Sequence, residues 1–198
     1  ARALAESRRQ LDGRNPSFFA DRLPASEQWR LFDAFRGRTA YLDIETTGLG
    51  KGLDYITTIA VFDGKKVTTY VHGRNMESFA DDILQFDLMV TFNGKCFDIP
   101  FIERAFKMKL DMAHVDMRFV LKQAGVTGGL KKCEKQFGLD RGHLDGVDGY
   151  WAVLFWKEFQ RSGDERFLNT LLSYNIEDVL SLQVLAAHAH NILLDRTP

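Results

Sequence analysis

Neither sign of charge predominates in this chain. Lys and Arg number 26 against 27 Asp and Glu, so no global basic field announces a nucleic-acid binder, and an anionic partner must be held locally. Cysteine is nearly absent. Cys96 and Cys133 are too few for a disulfide framework, which fits a reducing, cytoplasmic compartment while leaving a single bridge open. No apolar run approaches the ~20 residues of a membrane span, so no membrane partner is expected. The opening stretch "ARALAESRRQLDGR" lacks the apolar core of a secretory signal. It also lacks an initiator Met, as a processed chain or an excised fragment would. Internal repeats and low-complexity tracts are missing too. What remains is 198 residues with 45% hydrophobic and 12% aromatic side chains, enough to bury a sizeable core and to exclude a disordered or fibrous chain.

Residues 1–38 are polar and Arg-rich, and "SEQWRLFDAF" predicts a helix with Trp29, Leu31, Phe32 and Phe35 as its apolar stripe. This segment reads as an N-terminal helical extension packing onto a main domain over 39–198. From residue 39 the texture changes to short β-rich runs. "TAYLDIET", "YITTIAVFDG" and "KKVTTYVHG" predict a three-stranded meander with a turn at Asp63-Gly64. A helix in "MESFADDILQF", a strand in "DLMVTF", a helix in "DIPFIERAFKM" and an apolar piece at "MAHVDM" continue as βαβ. The rest reads as helix: "RFVLKQAG", "GGLKKCEKQFG", "YWAVLFWKEFQ" and a long segment from Asp164 to Leu194. The expected class is α/β, a mixed five-stranded sheet flanked by helices.

Three stretches place acids where chemistry needs them. Strand alternation points Tyr41, Asp43 and Glu45 one way and Leu42 and Ile44 the other. An edge strand with a solvated acidic face would do the same. The following "TTGLG" supplies hydroxyls, backbone N–H groups and close approach, which suits a ligand-facing loop. In "VTFNGKCFDIPF" a strand ends at Asn93-Gly94 and a helix starts near Asp98, where an Asp also serves as an ordinary N-cap and Pro100 fits the first turn. In "SYNIEDVLSL", Tyr174 and Asp178 share a helix face one turn apart, with Glu177 as a competitor.

In order and spacing these motifs resemble the DEDD exonuclease superfamily, in its tyrosine-bearing branch: "DIETTGL", then Asn-x-x-x-Phe-Asp about fifty residues on, then Tyr-x-x-x-Asp on a late helix. The resemblance spans roughly residues 39–190, and "FNGKCFDIPF" and "YNIEDVLSL" are most similar to the YprB-like group of predicted bacterial exonucleases. It implies a ribonuclease H-like fold and a hydrolase cutting phosphodiester bonds of DNA or RNA from the 3′ end, with single-stranded 3′ ends as the expected partner. It assigns Asp43, Glu45, Asp98 and Asp178 to hold two divalent ions, Mg²⁺ or Mn²⁺, and Tyr174 to orient the attacking water. Such ions choose oxygen ligands, and four carboxylates repel one another until cations balance them. Thr46, Thr47 and Leu49 are expected along the terminal nucleotide, with Asn93, Lys95 and Phe97 as further substrate contacts; Phe97 is equally an ordinary core residue. The rival from another class is a silent nucleic-acid-binding module of the same fold, against which stand all four acids and the tyrosine.

Other features invite plainer readings. Ser173, not histidine, stands five residues before Asp178, so His143 does not move the chain to the histidine branch. His114, His188 and His190 lack metal-ligand spacing. The lysines of "LKKCEK" read as a solvated helix face, with phosphate binding as the alternative. Trp151 and Trp156 read as core anchors of one buried helix.

Overall fold

The structure, a computed structural model, describes residues 2–49, 52–142 and 149–197. Five strands form one mixed sheet: β1 (Thr39–Thr46), β2 (Ile56–Phe62), β3 (Val67–Val71), β4 (Leu88–Thr91) and β5 (Ala113–Asp116), in the spatial order β3-β2-β1-β4-β5. The first three are an antiparallel meander, and β4 and β5 join in parallel. The hairpin between β2 and β3 turns on Asp63, whose Oδ1 accepts the N–H groups of Lys65 and Lys66 at 2.7 Å, with Gly64 in the left-handed region at φ 92°.

The acid-bearing strand is central. β1 has β2 on one side and β4 on the other, and seven of its eight residues are buried, which overturns the edge-strand alternative. Its two faces feed two cores. Tyr41 joins Ala60, Phe62, Val90 and Val115 beneath the long C-terminal helix, whereas Ala40, Leu42 and Ile44 join Ile59, Val61, Phe79 and Ile102 on the opposite face.

The helices are α1 (Arg2–Asp12), α2 (Pro16–Ala20), α3 (Leu31–Phe35), α4 (Phe79–Asp82), α5 (Asp98–Phe106), α6 (Met117–Gln123), α7 (Leu130–Gln136), α8 (Gly149–Ser162) and α9 (Glu165–Asp195). Helix α9 starts where the Asp164 side chain accepts the N–H of Arg166 at 2.9 Å. It buries Leu168, Leu171, Asn175, Val179, Leu182, Ala186, Ala189 and Leu193 at three- and four-residue steps, a stripe laid along β1 and β2.

Two expected helices are broken up. "SEQWRLFDAF" forms a 3-10 turn, Ala25–Arg30, that runs into the five-residue α3, and "MESFADDILQF" forms α4 between two 3-10 turns. Segments this short do not sustain an α-helix by themselves; their buried anchors Trp29, Phe32, Met76, Phe79 and Ile83 set their shape. Trp29, Leu31, Phe32 and Phe35 lie in the core under α9, with the His190 ring against Trp29 and Phe32. The two tryptophans of α8 separate: Trp156 is buried and its Nε1 donates to the Tyr55 hydroxyl at 3.1 Å, whereas Trp151 is 46% exposed, so the core-anchor expectation fails for it. One face of α8 packs; Trp151 lies off it. Both cysteines are free. Among the described residues, no helix is long and apolar enough to cross a membrane.

Candidate metal centre

Alternation along β1 aims Asp43 and Glu45 at α9, and the pairing with β2 shifts register between Glu45 and Thr46, just past the acids. From α9, Asp178 meets them. Asp43, Glu45 and Asp178 each present a carboxylate oxygen such that all three atoms lie within 4.8 Å of one another. Burial and the like charges of Asp178, Asp98 and Glu45 push the Asp43 carboxyl well above its usual range; burial, Asp178 and Asp98 do the same to Glu45. Burial lifts Asp178 to about 6 against the opposing pull of Arg141. An all-oxygen set whose mutual repulsion calls for cations fits hard divalent ions.

The fourth acid sits beside this trio, not within it. Pairing of β1 with β4 is registered only through Tyr41 and Val90, so the strand beyond lacks that neighbour. Asp98 fills the gap: its Oδ1 accepts the N–H of Ile44 at 3.3 Å. Asp98 is the first residue of α5, whose N-cap is Phe97 without a side-chain cap bond, so the ordinary-cap alternative fails. Burial raises its carboxyl to about 7, with Asp116 and Asp178 adding to the effect and backbone N–H groups opposing it.

Tyr174 is buried one turn before Asp178, its ring 4.7 Å from Lys131 Nζ and 5.6 Å from the Arg141 guanidinium carbon. Burial, then the charges of Asp178, Glu45 and Asp43, drive its phenol far above the ordinary value. The solvated-face expectation for "LKKCEK" holds for exposed Lys132 and Lys135 and fails for Lys131, whose ammonium packs over this ring.

The remaining expected residues build the frame. The Thr46 hydroxyl donates to Gly48 O; Thr47 N donates to Tyr55 O at 3.0 Å, and Thr47 Oγ1 accepts Tyr55 N–H at 3.1 Å, closing the β1–β2 loop. Leu49 stands 80% exposed on that loop. Asn93 adopts φ 65°, and its Oδ1 accepts Arg118 Nη1 at 2.7 Å. Gly94 is required, because a Cβ there would lie 2.1 Å from Thr91 Oγ1. Lys95 Nζ donates to Gln28 Oε1 at 2.9 Å, away from the acids, and Phe97 packs on Phe101 at the rim of the core.

Several members of the site escaped the sequence. Asn175 is fully buried and donates to Asp43; Asp116 accepts the N–H groups of Asn93, Lys95 and Arg118; Glu134 and Arg141 form a buried ion pair that reaches Asp178. Only Asn175 carried a signal, as a polar residue in line with Leu171, Val179 and Leu182 on the packed side of its helix. The histidines follow their structural reading: His114 pairs with Thr91 Oγ1 at 2.8 Å and is driven down to about 3 by burial and then Lys95, and His188 stacks on Phe137. His143 lies outside the described residues.

Residues 40–190 match the RNase H superfamily, and the chain belongs to it. Its fold is similar to a family B DNA polymerase from the hyperthermophilic archaeon Pyrobaculum calidifontis, at TM-score 0.60 and 18% identity over 76% of this chain. The chain covers 24% of that polymerase's length. No curated protein matches it.

Proposed function

We propose that the chain is a metal-dependent nuclease of the DEDD type with the tyrosine-bearing site, most like the YprB-like group, removing nucleotides from 3′ ends of DNA or RNA. The observation that carries this reading is the convergence of Asp43, Glu45 and Asp178 oxygens within 4.8 Å, with Tyr174 buried one turn from Asp178. Membership of the RNase H superfamily supports it. Asp43, Glu45 and Asp178 would hold Mg²⁺ or Mn²⁺, with Asp98 beside them. Bound as a pair, such ions supply an activated water and neutralise the phosphate and leaving oxygen.

The chain's own residues do the positioning. Asn175 fixes the Asp43 carboxylate, and Asp98 secures the end of β1 through Ile44. The Tyr174 phenol, raised far from neutrality, stays protonated and serves as a hydrogen-bond partner for water, not as a base. Thr46, Thr47 and Leu49 form the nucleotide-facing loop. Lys95 reaches substrate only on leaving Gln28.

The test incubates 5′-labelled single-stranded and duplex DNA and RNA with Mn²⁺, Mg²⁺ or chelator, beside Asp43→Ala and Asp178→Asn. Stepwise shortening that requires metal and both acids is expected. Intact substrate despite measurable binding would replace the nuclease with a silent binding module.

A further inference from the structure

Arg141 is buried beside the acids yet belongs to none of the motifs. Its side chain is 5% exposed and that of Glu134 1%. Nε donates to Glu134 Oε2 at 2.6 Å and Nη2 donates to Glu134 Oε1, a bidentate pair. The same Nη2 also contacts Asp178 Oδ1, and the guanidinium faces the Tyr174 ring. The two contacts differ in quality. The pair with Glu134 is aligned on both oxygens. The contact with Asp178 is a close ion pair made by Nη2 alone, and Arg141 Nη1 is buried without a hydrogen-bond partner among the described residues.

Asp43, Glu45, Asp98 and Asp178 cannot all stay ionised in a buried cluster without positive charge nearby. A guanidinium without a second partner would be drawn further toward the acids and would oppose cation binding more strongly; the bidentate pair with Glu134 works against that pull. The Glu134 carboxylate holds the arginine at the Asp178 edge and cancels its charge at a distance, leaving attraction that acts only at short range. We propose that Arg141, clamped by Glu134, is the internal counter-cation of the metal site: it holds Asp178 while no divalent ion does and surrenders Oδ1 when one binds. This makes Arg141 a positioning residue, and the inference rests on the metal-site reading above. Divalent binding then competes with an ion pair already in place.

The test is Mn²⁺ calorimetry together with thermal melting in chelator, on wild type, Arg141→Met, Arg141→Lys, Glu134→Gln and Asp43→Ala. Because Arg141→Met alone leaves Glu134 buried and unpaired, the double variant Glu134→Gln/Arg141→Met is measured with it. Removing the arginine, alone or in the double variant, is expected to tighten Mn²⁺ binding about tenfold, equivalent to about 1.4 kcal/mol. Arg141→Met should also melt lower in chelator, with the deficit shrinking at saturating Mn²⁺. Arg141→Lys keeps the charge and should restore part of the melting temperature, with near wild-type affinity. Glu134→Gln frees the guanidinium to engage the acids and should weaken Mn²⁺ binding about tenfold.

A purely structural arginine would lower stability without tightening metal binding. Unchanged or weaker Mn²⁺ binding in the folded Arg141→Met or double variant overturns the inference, as does unchanged binding in Glu134→Gln. Should wild type bind no Mn²⁺, or Asp43→Ala bind it as wild type does, the metal-site reading falls and this inference with it. Binding lost in Asp43→Ala but indifferent to Arg141 and Glu134 removes the inference alone.

Discussion

The side-chain nitrogen of Asn175 donates to Asp43 twice, to the main-chain oxygen at 3.2 Å and to Oδ2 at 2.7 Å. Its own Oδ1 accepts the Thr58 hydroxyl at 3.1 Å. One buried amide thus ties α9 to β1 and β2 at the level of the acids and fixes which Asp43 oxygen remains for a ligand.

Replacing Asn175 by Ala therefore acts on both stability and the site. Unpaired buried groups should cost about 1–3 kcal/mol of unfolding free energy in urea with chelator present. Losing the orienting bond should weaken Mn²⁺ binding about 10–100-fold. A folded variant with wild-type Mn²⁺ affinity would show that Asn175 does not aim Asp43.

Neutralising one acid should separate stability from activity. Asp43→Asn relieves repulsion from Asp178, Asp98 and Glu45, so in chelator it should stabilise the protein by about 0.5–2 kcal/mol. On the proposed reading, in which Asp43 is a metal ligand, nuclease activity should fall at least about a hundredfold. A chelator melting temperature below that of wild type would contradict the buried-repulsion account.

Burial pushes the Asp98 carboxyl up to about 7 and the Asp178 carboxyl up to about 6 in the folded chain, against roughly 3.9 when unfolded. The folded state therefore binds protons more tightly across that interval. Their contribution to stability is complete below about pH 4 and is lost as pH rises through 6 and 7. In chelator, the melting temperature should fall between pH 5 and pH 8. Saturating Mn²⁺ should abolish the decline, and Mn²⁺ affinity should climb with pH as protons leave the ligands. A chelator melting temperature that rises over this range would be the wrong sign.

Tyr174→Phe tests positioning against base catalysis. With the phenol driven far above its ordinary value, the proposed positioning role predicts that its loss slows turnover by about a hundredfold while leaving the shape of the pH–rate profile unchanged. Disappearance of a pH limb in the Phe variant would restore tyrosine as a titrating group.

Asp116 fixes the second-motif loop by accepting N–H groups of Asn93 at 2.8 Å, Lys95 at 3.1 Å and Arg118 at 3.1 Å. Asp116→Ala should cost about 1–3 kcal/mol, because three part-buried N–H donors lose their acceptor. Asp116→Asn, which keeps one acceptor oxygen, should cost less. Hydrogen exchange at residues 93–95 should accelerate in the Ala variant; protection equal to wild type would show that the loop is held by something else.

The sequence by itself determined faces. Period-two alternation put Asp43 and Glu45 on the same side of one strand, and four-residue spacing put Tyr174 and Asp178 on the same side of one helix. The meander followed by βαβ was readable because hydrophobic period and turn residues are local properties. It missed where local pattern gives way to packing: the shortened turns around Trp29 and Phe79, the exposed Trp151, and Lys131 turned inward over Tyr174.

Which faces meet was decided only by the tertiary structure. Centrality of β1 follows from two pairings, one with a strand far along the chain. The role of Asp98 follows from where β4 stops, which leaves the Ile44 N–H in need of an acceptor. Asn175 and Asp43 are 132 residues apart, and Glu134, Arg141 and Asp178 meet across α7 and α9 without any spacing to announce them. Ion pairs and buried amides at such separations are selected by close packing and by the cost of leaving a buried polar group unmatched, neither of which is written in the periodicity of a single element.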